Sequence, residues 1–217
     1  MARILSIELI QFKSYEEARF AFGQRIVGIA GPNGCGKTNL LDAIYYLCFT
    51  KSYFAAGDGS LVRQGSAGFR VNGIFEAPGG QVSVSAILRE NGKKEFYRND
   101  EPYIRMSHHL GRLPAVVVAP DDIALITGGG ESRRKMMDAL LCQLDAEYVK
   151  QLTAYNKILQ QRNGLLRSMA ESGQRSNTLL DVLDHQLAAA AVFVLQKRHA
   201  VLKPFLLQAT EHHRRIA

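Results

Sequence analysis

The chain has 217 residues, enough for one or two domains with a buried core, and its 47% apolar and 22% charged content is that of an ordinary globular protein. No uninterrupted apolar run approaches the ~20 residues of a membrane-spanning helix, and the opening MARILSIELIQF lacks the apolar core and small-residue cleavage site of a secretory signal. A formal charge of +7 and a pI near 9.4 raise the expectation of a polyanionic partner such as nucleic acid.

Residues 4–12 alternate apolar and polar side chains, which predicts a strand, and residues 19–22 suit a partner for it. Residues 25–30 (RIVGIA) form a short apolar, β-branched run and are expected to be a strand as well. Directly after it, Gly31, Pro32, Asn33, Gly34, Cys35, Gly36, Lys37 and Thr38 spell G-x-x-x-x-G-K-[ST], and residues 39–49 place Leu40, Leu41, Ile44 and Leu47 at helical spacing. A strand, this loop and a helix in that order make a phosphate-binding site. Glycines let successive backbone N–H groups converge on a phosphate where a Cβ would clash, and the helix N-terminus adds positive potential. Lys37 can reach the β- and γ-phosphates of ATP, and the Thr38 hydroxyl is a candidate ligand for Mg²⁺. Cys35, Cys48 and Cys142 have neither metal-site spacing nor a balanced disulfide count, so reduced thiols and a cytoplasmic location are expected. Oxidation of Cys35 would obstruct the phosphate loop.

Residues 55–68, rich in Gly and Ser, read as a surface loop, and residues 70–76, 81–89 and 94–98 as strands. Pro78-Gly79-Gly80 and Asn91-Gly92 supply the turns between them. Residues 113–119 (LPAVVVA) suit a buried strand. From residue 132 onward no strand is expected. A helix is predicted over 132–141, then a long amphipathic helix through Leu144, Tyr148, Leu152, Tyr155, Leu159 and Leu166. A polar break at 171–177 precedes a second long helix over 179–208, carrying Leu180, Leu183, Leu187, Ala190, Val194 and Val201. Pro204 should kink or end it. Two antiparallel helices packed face to face follow, giving an ATP-binding lobe at 1–122 and a helical lobe at 123–217.

Two segments imitate further ATPase motifs. Residues 116–122 (VVVAPDD) resemble the apolar strand and acidic end of a Walker B element, and Gly128-Gly129-Gly130-Glu131 resembles an ABC signature. Their order argues against both readings, because in ABC-type enzymes the signature precedes Walker B. Pro120 also removes a backbone donor where strand pairing should continue. Helix capping is the plainer role for Asp121 or Asp122, and a turn into the next helix for the glycines.

The stretch LSIELIQFKSY at 5–15, the loop GPNGCGKTNLLDAIYYL, APDDIALITGGGESRRKMMD at 119–138 and YNKILQQRNGLL at 155–166 together resemble the RecF family of bacterial recombination and gap-repair ATPases. The resemblance runs through nearly the whole chain, whereas only the first third would be shared with the wider group of SMC-like and ABC-type heads. It implies an α/β P-loop NTPase: an ABC/SMC-type head lobe with a mixed β-sheet, plus an inserted helical lobe. It further implies ATP-driven homodimerisation, sequence-independent binding to duplex and junction DNA, and slow hydrolysis. Cooperation with RecO and RecR in loading RecA, and support of the SOS response, belong to the same implication. Asp121 or Asp122 then falls near a γ-phosphate-sensing loop where relatives often carry Gln. Ser52-Tyr53-Phe54 stands where relatives show Ser-Phe-Arg, leaving that arginine's role to Lys51, to Arg63 or to nothing.

Family members continue well past residue 217, and their signature motif, Walker B element and closing strands belong to that continuation. The chain is therefore expected to be an amino-terminal portion that binds ATP weakly and does not hydrolyse it alone. Candidate DNA contacts are Arg133-Arg134-Lys135, Lys93-Lys94, Arg162 with Arg167, and His212-His213-Arg214-Arg215. The alternatives are a transporter-type ABC subunit, which would carry a clear L-S-G-G-Q, and a small-metabolite P-loop kinase, which would need an arginine-rich lid.

Overall fold

The computed structural model describes residues 2–173 and 178–217. The chain forms two compact units, Met1–Val118 and Ala119–Ala217, so the turn at residues 120–123 belongs with the helices.

The first unit is built on β1 (Arg3–Phe12), β2 (Tyr15–Ala21), β3 (Phe69–Ala77), β4 (Gly80–Leu88), β5 (Lys94–Arg98) and β6 (Glu101–Pro102). They form one sheet in the order β2-β1-β3-β4-β5-β6, and every pairing is antiparallel. Alternation turns Ile7 and Leu9 of β1, Val71 and Phe75 of β3, Val84 and Ala86 of β4 and Phe96 of β5 into the core. Strict alternation from Leu9 would turn Phe12 outward. Gln11, at φ 55, resets the phase, and Phe12 is fully buried.

Helix α1 (Lys37–Phe49) packs against this sheet through Leu40, Ala43, Tyr46 and Leu47. The approach is close: a Cβ on Gly73 of β3 would lie 2.5 Å from Leu47 Cδ1. The end of α1 is capped three ways. Thr50, at φ 59, donates its N–H to the Tyr46 carbonyl; Lys94 Nζ donates to the Thr50 carbonyl; buried His109 meets the Leu47 carbonyl at 2.6 Å through Nε2.

Two expected strands are absent. Residues 25–30 and 113–119 join no ladder among the described residues. A strand exists only where a neighbour offers amides and carbonyls in register, and composition cannot supply that neighbour. Residues 113–119 nonetheless keep a strand-like alternation. Leu113 is buried and Ala115 and Val117 lie on the core, while Val116 and Val118 are 78% and 85% exposed.

The second unit holds a 3₁₀ turn (Pro120–Ile123), α2 (Ala124–Thr127), α3 (Gly130–Leu144), α4 (Ala146–Ser172) and α5 (Thr178–Ile216). Leu144 ends α3 instead of opening the long helix, because Asp145 caps α4 by accepting from the N–H groups of Glu147 and Tyr148. Helices α4 and α5 run antiparallel, pinned by Lys197–Asp145 at one end and Arg162–Asp184 further along. Arg198 grips Asp138 of α3 through two bonds of 2.8 Å, and Tyr148 donates to the same carboxylate. Leu141, Tyr148 and Val194 are the centre of this packing. The expected polar break begins at Gly173, in the left-handed conformation at φ 69; residues 174–177 lie outside the described residues.

Pro204 does not end α5, which continues to Ile216. The carbonyl that loses its donor is that of Ala200, four residues earlier, and Ala200 and Pro204 are both exposed, so water can take it. By length and mean hydropathy alone α5 would also be able to cross a membrane, although it contains no uninterrupted apolar run of that length. Its Asp184, Lys197 and Arg198 are held in ion pairs with α3 and α4 or the residue between them, and its Leu183, Ala190 and Val194 are buried.

Burial holds the pKa of His109 below the usual histidine range, with Arg98 and Arg112 adding to the effect. A depressed histidine stabilises the fold fully above its unfolded value of about 6.5, and that contribution is lost as pH falls toward the folded value. The unfolding midpoint of the protein should therefore drop on acidification below about pH 6.5, and His109→Gln should flatten that part of the profile.

Candidate nucleotide-binding site

Residues 31–36 lead into α1 as a turn in which Gly31, Gly34 and Gly36 take φ of 153°, 84° and 99°. These values suit glycine and disfavour a side chain. Gly36 is the residue before the helix and Lys37 its first. The N–H groups of Gly34, Gly36 and Lys37 meet no protein acceptor among the described residues, whereas Leu40 N–H already donates to the Gly36 carbonyl at 2.9 Å. Unpaired amides, a helix N-terminus and one ammonium group on a single turn of chain constitute an anion cradle.

Lys37 Nζ folds over the loop and donates to the carbonyls of Gly31 at 2.8 Å and Pro32 at 2.7 Å. Thr38 is exposed in the first turn of α1, and its hydroxyl has no partner among the described residues. An available hydroxyl beside a phosphate cradle fits a Mg²⁺ that keeps most of its waters. Cys35 is an exposed free thiol, and Gly31 faces its Sγ so closely that a Cβ there would lie 3.0 Å away. Cys48 is buried, which pushes its thiol up to about 12, and it is inert. Among the described residues no three metal-ligating side chains cluster.

The loop is held from behind by the turn between β1 and β2. Lys13 Nζ donates to Asp42 at 2.5 Å, Asn39 Nδ2 donates to Ser14 Oγ at 2.8 Å, and the Tyr15 hydroxyl donates to the Gly36 carbonyl at 3.0 Å. Asp42 has no solvent exposure, yet its carboxylate is satisfied: Ser52 Oγ donates at 2.7 Å and Tyr53 N–H at 2.8 Å in addition to Lys13. Ser52 and Tyr53 therefore brace α1, while Arg63 pairs with Glu16 and Lys51 is exposed.

Asp122 accepts from Ala119 N–H at 2.7 Å, the capping role read from its position, and Asp121 is exposed. Gly129 and Gly130 open α3, and Arg133 staples that start by donating to the carbonyls of Leu125 and Gly128. Lys135 pairs with Glu131, Lys93 with Glu95, Lys94 with Asp58, Arg162 with Asp184 and Arg215 with Glu211. Arg134, Arg167 and Arg214 carry no ion pair among the described residues.

A family defined as AAA domain matches residues 6–211. The chain belongs to that family. It is also 37% identical over 203 residues to the DNA replication and repair protein RecF of Cytophaga hutchinsonii, an alignment covering 94% of the chain and 54% of the relative. It is 38% identical over 201 residues to the RecF of Phocaeicola vulgatus, covering 92% of the chain and 53% of the relative. The chain thus spans about half the length of the curated relatives it matches. A solved structure of the recombination mediator protein RecF with ATP superposes with a TM-score of 0.85 at 28% identity, over 93% of this chain and 54% of that one. An SMC ATPase structure superposes with a TM-score of 0.53 at 22% identity, over 63% of this chain and 98% of that one, a likeness of fold alone. The resemblance to RecF and the P-loop ATPase fold read from the sequence both stand.

The residues that sequence reasoning passed over are Lys13, Ser14, Tyr15, Asn39 and Asp42, which act on the loop without belonging to its motif. One signal was visible: Asp42 interrupts the apolar run from Leu40 to Phe49, and a buried charge needs a partner. Removing that carboxylate leaves Lys13, whose side chain is only 14% exposed, unpaired. Asp42→Ala should cost about 3 kcal/mol in urea unfolding, with a smaller loss for Asp42→Asn.

Proposed function

We propose that the chain binds ATP with Mg²⁺ at Gly31–Thr38 and is the nucleotide-binding portion of a RecF-type protein acting in DNA replication and repair. The observation that carries this is the cradle of unpaired amides with Lys37 and Thr38 at the start of α1, in a chain that superposes on RecF–ATP. The loop amides and Lys37 hold the β- and γ-phosphates, and to do so the ammonium leaves the carbonyls of Gly31 and Pro32. Thr38 orients the hydrated cation, whose contribution is to neutralise phosphate charge.

In this reading the cytoplasmic protein dimerises on ATP and holds duplex or junction DNA without reading its sequence. Exposed arginines of the helical unit, Arg134, Arg167 and Arg214, are available for phosphate. With RecO and RecR it assists loading of RecA on gaps, in recombination and the SOS response. Support comes from the family likeness, the basic charge of +7 and the head-type fold.

Titration calorimetry should register Mg²⁺-dependent ATP uptake, reduced about tenfold or more in Lys37→Ala, since a charged hydrogen-bonding group is lost. Uptake indifferent to Lys37 would refute the site. DNA retention should fall steeply between about 50 and 200 mM salt.

A further inference from the structure

The phosphate loop's geometry depends on a part of the chain that its motif does not include. We propose that Tyr15, with Ser14, is a positioning residue: its hydroxyl sets the Gly36–Lys37 peptide plane so that the Lys37 N–H faces the phosphate. The inference rests on the nucleotide-binding reading of Gly31–Thr38 and extends it to the turn between β1 and β2.

Three consecutive turn residues meet α1 and the residue before it at positions spaced by three. Tyr15 reaches Gly36, Ser14 reaches Asn39 and Lys13 reaches Asp42. Positions three apart lie on one face of a helix, so the turn clasps that face along its length. A trans peptide is planar, with its C=O and N–H pointing in opposite directions. The Gly36 carbonyl is held from two sides, by Leu40 N–H at 2.9 Å and by the Tyr15 hydroxyl at 3.0 Å. Fixing that carbonyl toward the turn points the Lys37 N–H the other way, into the cradle.

The clasp also explains why residue 36 must be glycine beyond its backbone angle. A Cβ there would lie 2.8 Å from Ser14 Oγ and 2.9 Å from both the ring and the hydroxyl of Tyr15. The turn itself is over-determined. Lys13 holds a left-handed conformation at φ 47, secured by its N–H to the Leu61 carbonyl at 2.7 Å and by its ammonium on buried Asp42. Tyr15 packs edge-on against Phe20 of β2, with ring centroids 5.8 Å apart, which fixes the ring. Burial, with the neighbouring Cys35, raises the tyrosine's pKa, so it remains a donor at neutral pH.

The test compares the purified wild-type protein with Tyr15→Phe, Ser14→Ala, Ser14→Thr and the remote control Tyr97→Phe, which removes only a hydroxyl on Glu95. Affinities for Mg-ATP and Mg-ADP, nucleotide-free unfolding midpoints and the backbone amide resonances of Gly36 and Lys37 are measured. Tyr15→Phe should weaken ATP and ADP alike by about fivefold, displace the Gly36 and Lys37 resonances, and shift the midpoint no more than Tyr97→Phe does. Ser14→Ala should weaken binding in the same direction, and Ser14→Thr, which keeps the hydroxyl, should restore it. Wild-type binding matched by Tyr15→Phe and Ser14→Ala overturns the clasp while leaving the nucleotide site standing. No nucleotide uptake by the wild type overturns both. Should Tyr15→Phe fail to fold, the Ser14 pair decides alone.

Discussion

The carboxylate of Asp42 is the constraint on which the first unit turns. It is wholly buried, and a buried charge is tolerable only when paired and fully hydrogen-bonded. Lys13, Ser52 and the Tyr53 backbone supply those bonds, from the turn before the phosphate loop and from the segment after α1. One side chain therefore ties together the β1–β2 turn, α1 and the segment just after it. None of the three can drift without leaving a charge unsatisfied.

Around that tie, α1 is positioned by shape. Gly73 lets the helix sink onto the sheet at Leu47, and the aromatic side chains of Phe12, Tyr46, Phe69 and Phe96 meet edge-on or tilted beneath it. The far end is closed by Lys94 and His109 on the last carbonyls, which complements the negative end of the helix. Its near end is left with unpaired amides and an ammonium. A helix capped at its C-terminus and open at its N-terminus offers an anion the open end.

The helical unit uses charge differently. Several of the basic residues that looked available for nucleic acid are spent on carboxylates within the unit: Lys135 on Glu131, Arg162 on Asp184 and Arg215 on Glu211. Arg162–Asp184 joins α4 to α5 and Arg198–Asp138 joins α5 to α3, around the buried centre of Leu141, Tyr148 and Val194. The arginines left unpaired are thus a smaller and more informative set than the clusters in the sequence. A run of like charges says nothing about which of them a neighbouring carboxylate will claim.

Local chemistry was legible in the residues themselves. The phosphate-loop motif, the period-2 pattern of β1, β3 and β4, the Asn91-Gly92 turn and the long helical repeats each depend on neighbours close in sequence. The sequence alone therefore determined the class of fold and the place of the cradle. Tertiary structure decided what depends on partners far along the chain. Residues 25–30 and 113–119 have strand composition but no ladder; α5 passes through Pro204; and Tyr15 reaches Gly36 only because a hairpin folds back over a helix. Each of these outcomes is a relation between distant segments, and a short window of sequence does not contain both partners.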